Sequence, residues 1–279
     1  MSDGFMPGRM RVATWVVSER RDRVYTGSTR ESNPLDERTS IAVPIVSIDY
    51  RITPRLGLQV STAVPLIART GVVQRPGGSF AFRDEVRGLG DTVAGVWYRG
   101  GSPSRWAWTV NGGVSMPTGS TRQPRFREEL EGGSLVPLSR LQRGSGTWDP
   151  VAGLALERPL RGGRWVTSLA ARTPVAENAD GLRTGPSWEI GSGWAHTVRT
   201  HKVMAYARVD WLHREQDVFR GMPVLVGGGD WIYATPGLAV MVGKGINLQA
   251  DVKLPLYRHL ANRQLDSRAI FQLGFSRSF

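Results

Sequence analysis

The sequence predicts an all-β chain closed as an antiparallel transmembrane barrel of about twelve strands. Two observations carry this. Apolar and polar residues alternate with period two in segment after segment, and the segments are joined by connections that are short and long by turns. A third observation joins them: the chain ends on an alternating segment, Gln272 to Phe279, closed by an aromatic residue.

Alternation is clearest from Ile246 to Leu254. Ile246, Leu248, Ala250, Val252 and Leu254 are apolar, with Asn247, Gln249, Asp251 and Lys253 between them. Successive side chains of a strand point to opposite faces, so such a segment has one greasy and one wet face. The same period runs through Val203, Ala205, Ala207, Val209 and Trp211, and through Leu56, Leu58 and Val60. It returns in Phe271, Leu273 and Phe275. Read in order, the strands fall at 9–19, 39–51, 55–68, 88–100, 104–117 and 147–160. The rest fall at 163–174, 186–199, 202–213, 230–242, 245–257 and 266–279. Each has roughly the ten residues that cross a bilayer at a tilt, and an even count is usual for single-chain bacterial barrels.

Short turns are expected at Thr53-Pro54, Gly100–Ser104, Arg161–Arg164, Thr200-His201 and Gly243–Gly245. Long polar loops are expected at 20–38, 69–87, 118–146, 175–185 and 214–229, with a shorter one at 258–265. This asymmetry is that of an outer-membrane barrel, with turns on the periplasmic side and loops outside. An even number of strands then places both termini on the turn side. Loop 118–146 is long and carries several Arg and Glu, and folding inward as a constriction is one of its options.

Soluble β-sandwiches alternate as well. Two features favour a membrane. Trp106, Trp108, Trp165, Trp188, Trp211 and Tyr257 sit near strand ends, where interfacial girdles belong. Charged residues fall on the face opposite the greasy one, which in a barrel lines the lumen. Composition agrees. Mean hydropathy is −0.25, too polar for a helical membrane protein. The longest uncharged stretches, Trp106–Thr121 and Trp231–Gly243, are too short for a helical span. Cysteine is absent, which an exported protein without disulfides tolerates. The net charge is +12, almost all of the cations being Arg. These charges are spread along the chain and not gathered on one face, which argues against nucleic-acid binding. An anion-attracting lumen or rim and a plain bias toward Arg remain as readings. Residues 1–8 form a lead without an apolar core or cleavage site, so the export signal is expected to be removed or to precede this start. Residues 9–279 then make a single barrel domain.

The C-terminal segment carries the most information. Gln272, Gly274, Phe275 and Phe279 fit the terminal-strand signal read by the outer-membrane assembly machinery, while Arg277 departs from it, since an apolar residue is usual there. A last strand that offers its edge for strand addition accounts for such a signal. The chain as a whole resembles the outer-membrane transporter family labelled "MetA-pathway of phenol degradation". The matching pieces are Val43-Pro44 leading to Asp49-Tyr50-Arg51, then Val64-Pro65, Gly88-Leu89-Gly90-Asp91, Met116-Pro117-Thr118-Gly119, and Gly144-Ser145-Gly146-Thr147-Trp148-Asp149-Pro150. The resemblance implies an outer-membrane barrel and an association with aromatic compounds, and it brings no catalytic residue. On their own chemistry these Gly- and Pro-rich pieces read as bends and bulges. Gly88–Asp91 does not begin a helix, so it is not a phosphate loop.

No catalytic or metal site is expected, and no cofactor. The four His are His196, His201, His213 and His259, and none has a Ser two residues away on the same strand face. Asp210 and His213, three apart, belong on opposite faces. There is no His pair at i, i+2 and no carboxylate cluster with ligand spacing. The residues singled out instead are those that parity turns inward: Gln59, Asp91, Arg99, Asn111, Glu157, Arg172, Glu189, Arg208, Asp210, Gln249, Asp251 and Lys253. A salt-bridged filling, a selective passage and a catalytic role compete for them. The expected function is a passive channel for small solutes, anionic or aromatic. A plugged structural barrel and a barrel hydrolase are the alternatives. The expected partners are outer-membrane lipid and lipopolysaccharide, the assembly machinery and the solute.

Overall fold

Strands with one lipid-facing and one wet side cannot leave an edge open in hydrocarbon, so they must close on themselves. In the computed structural model they do. It describes residues 9–75, 78–121, 127–129, 135–137, 142–198, 202–224, 227–243 and 245–279, with backbone only at 74–75, 127–129 and 135–137. In chain order the first strands are β1 Met10–Gly27, β2 Thr29–Glu31, β3 Arg38–Arg51, β4 Leu56–Ala63, β5 Leu66–Arg75 and β6 Gly78–Arg87. Then come β7 Thr92–Gly101, β8 Ala107–Met116, β9 Arg127–Glu129, β10 Leu135–Pro137, β11 Asp149–Leu160 and β12 Gly163–Arg172. The last are β13 Leu182–Arg183, β14 Ser187–Val198, β15 Val203–Arg214, β16 Val218–Phe219, β17 Met222–Pro223, β18 Gly229–Val242 and β19 Ile246–Ser278. The described residues contain no helix long and apolar enough to cross a membrane.

The wall runs β1-β3-β4-β7-β8-β11-β12-β14-β15-β18-β19 and closes where β19 pairs with β1, every pairing being antiparallel. These are eleven continuous elements, and an odd ring of antiparallel neighbours cannot close. The last element resolves this by reversing. Its first part pairs with β18 as far as Leu260, and its remainder pairs with β1 from Leu260 to Ser278. Arg258 Nη1 lies 3.2 Å from Asp266 Oδ2, although eight residues of straight strand would span about 26 Å. The wall is therefore crossed twelve times.

Parity sorts the side chains as the sequence requires. Leu58, Val60, Val96, Val110, Val209, Leu238, Leu273 and Phe275 are exposed on the outer face. Ser47, Asp49, Ser115, Asp149, Glu157 and Asp210 are buried on the inner one. Trp106, Trp108 and Trp165 are exposed at the turn end, while Trp188, Trp211 and Tyr257 lie at the loop end. Along β18 the outward residues Ile232 to Val242 span ten intervals. At about 3.3 Å each and a tilt of about 40° they cover roughly 25 Å, the height of an apolar barrel band.

The wall departs from the sequence-based expectation above the loop end. β1 continues to Gly27 through the segment expected to be loop, and β2 folds back on it. Segment 69–87, expected as a loop, is the hairpin β5–β6. The strand expected at 55–68 breaks at Val64-Pro65, where Pro65 cannot donate to a ladder. Beyond the band no lipid demands an apolar face, so Arg-Asp-Arg-Val-Tyr and Arg-Asp-Glu-Val-Arg pair as strands without an alternating signature. The turns stay short. In Ile52–Arg55, Thr53 Oγ1 accepts from Arg55 N (3.2 Å) and Leu56 N (3.0 Å). The two-residue turn Arg161-Gly162 needs Gly162 at φ +80°. The lead 1–8 and the expected turn residues Thr200 and His201 lie outside the described residues.

Candidate functional site: the barrel interior

Inward-facing side chains converge in two stacked chambers that share Ile45 as a lining residue. One, of about 400 Å3, sits at the loop end. The other, of about 350 Å3, lies below it at mid-height.

The mid-height chamber has two unlike sides. Trp15, Val17 and Ile45 from β1 and β3 form an apolar side. Glu189, Arg208, Asp210, Thr235, Gln249, Asp251 and Lys253 from β14, β15, β18 and β19 form a polar one. Tyr206 Oη donates to Asp251 Oδ2 (2.6 Å), and Gln249 Nε2 donates to Tyr206 Oη (2.7 Å). Arg208 donates to Asp210 (2.7 Å) and to Ser168 Oγ (3.1 Å), and Thr235 donates to the other Asp210 oxygen (2.6 Å). Lys253 Nζ reaches Glu189 Oε1 at 2.6 Å. Six of the residues singled out from parity thus line one chamber. Three carboxylates face two cations here, so the excess of Arg in the chain does not make this level basic.

Close packing along the inner wall rests on glycine. A Cβ on Gly237 would sit 2.2 Å from the Tyr206 ring, one on Gly57 2.3 Å from Trp97, and one on Gly274 2.3 Å from Trp15. Each of these three inward rings lies against a glycine of the next strand. Asn111 lies over Gly153 in the same way, at 2.4 Å from a Cβ placed there. Gln59 and Arg99 face inward, half-buried, on β4 and β7. At the turn end Arg164 lies 3.5 Å from the buried Glu157, and Arg11 donates to Asp49 (2.8 Å).

The loop-end chamber is built from motifs far apart in sequence. Asp91, from the Gly-Leu-Gly-Asp piece, accepts from Ser145 N (2.8 Å), Ser145 Oγ (2.9 Å) and Gly119 N (3.2 Å), with Arg172 at 3.4 Å. Thr118 Oγ1 donates to Gly90 O (2.8 Å) and Arg143 N to Ser120 O (3.2 Å). Gly144 packs on Asp91 so tightly that a Cβ would meet Oδ1 at 2.2 Å. Asp149, fully buried, accepts from Thr147 Oγ1 (2.5 Å) and from Arg172. Three motifs that read as independent bends are one knot, which folds the described end of loop 118–146 across the mouth. Spacing held no sign of this, since the partners are 28 and 54 residues apart. Residues 122–126, 130–134 and 138–141 lie outside the described ones, and β9 and β10 pair as a small hairpin between them.

The described His residues lie elsewhere. His213 faces outward at the loop end, stacked on Trp188 at 4.7 Å, with Nδ1 2.8 Å from Asp230, a pairing that nothing in the sequence announced. His213 and Asp210 do fall on opposite faces. His259 Nδ1 is 3.5 Å from Ser28 Oγ, but that hydroxyl donates to Arg258 O (2.8 Å). Among the described residues no group of three His, Asp or Glu is placed to hold a metal.

The terminal strand resolves by side. Gln272 and Gly274 face inward, while Phe271, Leu273, Phe275 and Phe279 face outward. Arg277, the departure from the signal, is exposed with its guanidinium 4.8 Å over the Phe279 ring.

Two solved structures share this architecture. The COG4313 outer membrane channel from Pseudomonas putida F1 aligns over 100% of this chain and 99% of its own, with a TM-score of 0.74 and 13% identity. The translocator domain of the autotransporter NalP from Neisseria meningitidis aligns over 99% and 90%, with a TM-score of 0.51 and 11% identity. No family model matches the chain, and neither does any curated protein. The fold is that of a closed outer-membrane β-barrel.

Proposed function

We propose that the protein is a channel of the bacterial outer membrane that passes small solutes through its lumen. The observation that carries this reading is an interior that is chambered, not packed solid. Two adjoining spaces lie along the axis, one of them apolar on one side and hydrogen-bonding on the other. A small pore lined by few polar groups selects by size and by those groups. An amphipathic solute suits the mid-height chamber, its apolar body against Trp15, Val17 and Ile45, its polar groups toward Gln249, Asp251 and Lys253. The likeness to the Pseudomonas putida channel supports the reading, as does the resemblance to the aromatic-associated transporter family. The same reading places the chain in the outer membrane, inserted by the assembly machinery through the Gln272–Phe279 strand and surrounded by lipid and lipopolysaccharide. Planar-bilayer recording tests it. Discrete conductance steps are expected, and trapping the mid-height chamber with a Val17→Cys adduct of a bulky thiol reagent should abolish them. Folded protein that inserts yet shows no steps would leave the plugged structural barrel, which the knot at Asp91 favours.

A further inference from the structure

The loop-end chamber is lined by residues with polar atoms that find no partner among the described residues. Among the described residues Ser115, 1% exposed, has no hydrogen-bond partner for its Oγ, and Gln142, 8% exposed, has none for its Nε2 or its Oε1. Arg143 Nε is buried and has no partner among the described residues either. All three residues line this one chamber. Buried polar groups are nearly always paired, because leaving one unmade costs about 1–3 kcal/mol. These four atoms belong to residues that line one cavity, so a guest held there is the nearest source of the missing hydrogen bonds.

The charges of the lining say what kind. Arg143, Arg172 and Arg214 face one carboxylate, Asp91. Asp91 is already met by Ser145, Gly119 and Arg172. Arg172 is held by Asp149, and Arg214 donates to Asp217 (2.8 Å). Arg143 makes no ion pair among the described residues. Its backbone is fixed by Ser120, while its guanidinium lies against Gly88, where a Cβ would be 2.2 Å from Nη1. The remaining lining includes Ile45, Ala63 and Val93. A volume of about 400 Å3 lies toward the small end of the range for ligand sites, roughly 300–1,000 Å3.

We infer that the loop-end chamber is a binding site for a small organic monocarboxylate. Arg143 receives the carboxylate, Ser115 and Gln142 take its second oxygen or a further polar group, and Ile45, Ala63 and Val93 hold the apolar body. The guanidinium suits this role because its planar donors match a carboxylate in pairs. The site rests on the channel reading as the first station of the passage, and it names the class of solute that the passage admits.

Isothermal titration of the folded protein in detergent with benzoate, and separately with benzyl alcohol, tests the site. Saturable benzoate binding is expected, at least tenfold tighter than that of the alcohol. Arg143→Gln should weaken benzoate at least tenfold, Arg143→Lys should restore part of the loss, and Ser115→Ala should weaken it less. Heat-dependent gel mobility confirms that each variant folds. No saturable benzoate binding, equal binding of the alcohol, or unchanged binding by Arg143→Gln overturns the proposal. Bilayer conductance of the same samples keeps the two readings apart. A conducting barrel without a benzoate site loses only the site, and a binding barrel without conductance loses only the channel.

Discussion

Replacing Asp91 with Ala tests whether the knot at the mouth is held by one carboxylate. The side chain accepts from Ser145 N at 2.8 Å, Ser145 Oγ at 2.9 Å and Gly119 N at 3.2 Å. Bonds to a charged acceptor contribute about 1.5–3 kcal/mol each when partners stay buried. Here release lets water replace the carboxylate, so about 1 kcal/mol per bond is the appropriate figure. Three bonds give about 3 kcal/mol, or about 150-fold in the local opening equilibrium. The strands of the wall do not depend on these bonds, so the barrel itself should remain folded. The Arg143–Gly144 peptide bond lies inside the knot, which makes trypsin a direct reporter. When opening and closing are fast relative to cleavage, the rate follows the population of the open form. Cleavage at this bond, followed by mass spectrometry, should accelerate by about two orders of magnitude in Asp91→Ala. Asp91→Asn retains one acceptor oxygen and should show a smaller increase. A cleavage rate within about threefold of the parent would show that the segment is held by other contacts and that Asp91 is not its fastening.

Three further outcomes are expected. Leu238→Arg puts a charge on the lipid face and should lower stability in vesicles by about 2–4 kcal/mol. Gln249→Arg, on the inward face across from Ala239, should cost much less; equal losses would mean that the faces are misassigned. Gly274→Val drives a branched side chain into Trp15 and should destabilise by about 1–3 kcal/mol. Trp15→Ala in the same chain should recover much of that, and the absence of recovery in a denaturant titration would point away from packing. Glu189→Gln leaves Lys253 unpaired at mid-height and should move reversal potentials toward anion selectivity, whereas Lys253→Met should move them the other way. Identical potentials in both would place the pair outside the conducting path.

The parts of the fold that touch lipid were legible in the sequence because hydrocarbon imposes a rule on every second residue. Ile246–Leu254 and Val203–Trp211 show it without a break. Where the chain leaves the bilayer the rule lapses. β5 and β6 pair through residues such as Arg69, Asp84 and Glu85, whose alternation carries no hydrophobic contrast. Inward parity placed Arg208, Asp210, Asp251 and Lys253 together, since residues two apart on one strand share a face. The knot of Asp91 with Gly119 and Ser145 was not legible. Its partners come from three loops, and hydrogen bonds between loops leave no period. The same holds for His213 and Asp230, which meet only through the pairing of β15 with β18.

The doubling back of β19 brings Phe279 beside Met10, with Phe279 N donating to Met10 O (2.8 Å). The wall is therefore a loop of ribbon whose two tails meet at the turn end, and nothing in its geometry prefers that seam to another. Joining the tails and reopening the chain at Arg161-Gly162 would leave every neighbour in place while moving Phe279 into mid-chain. Such a rearranged protein should refold in detergent yet fail to be inserted in cells, separating what the last strand contributes to the wall from what it says to the cell.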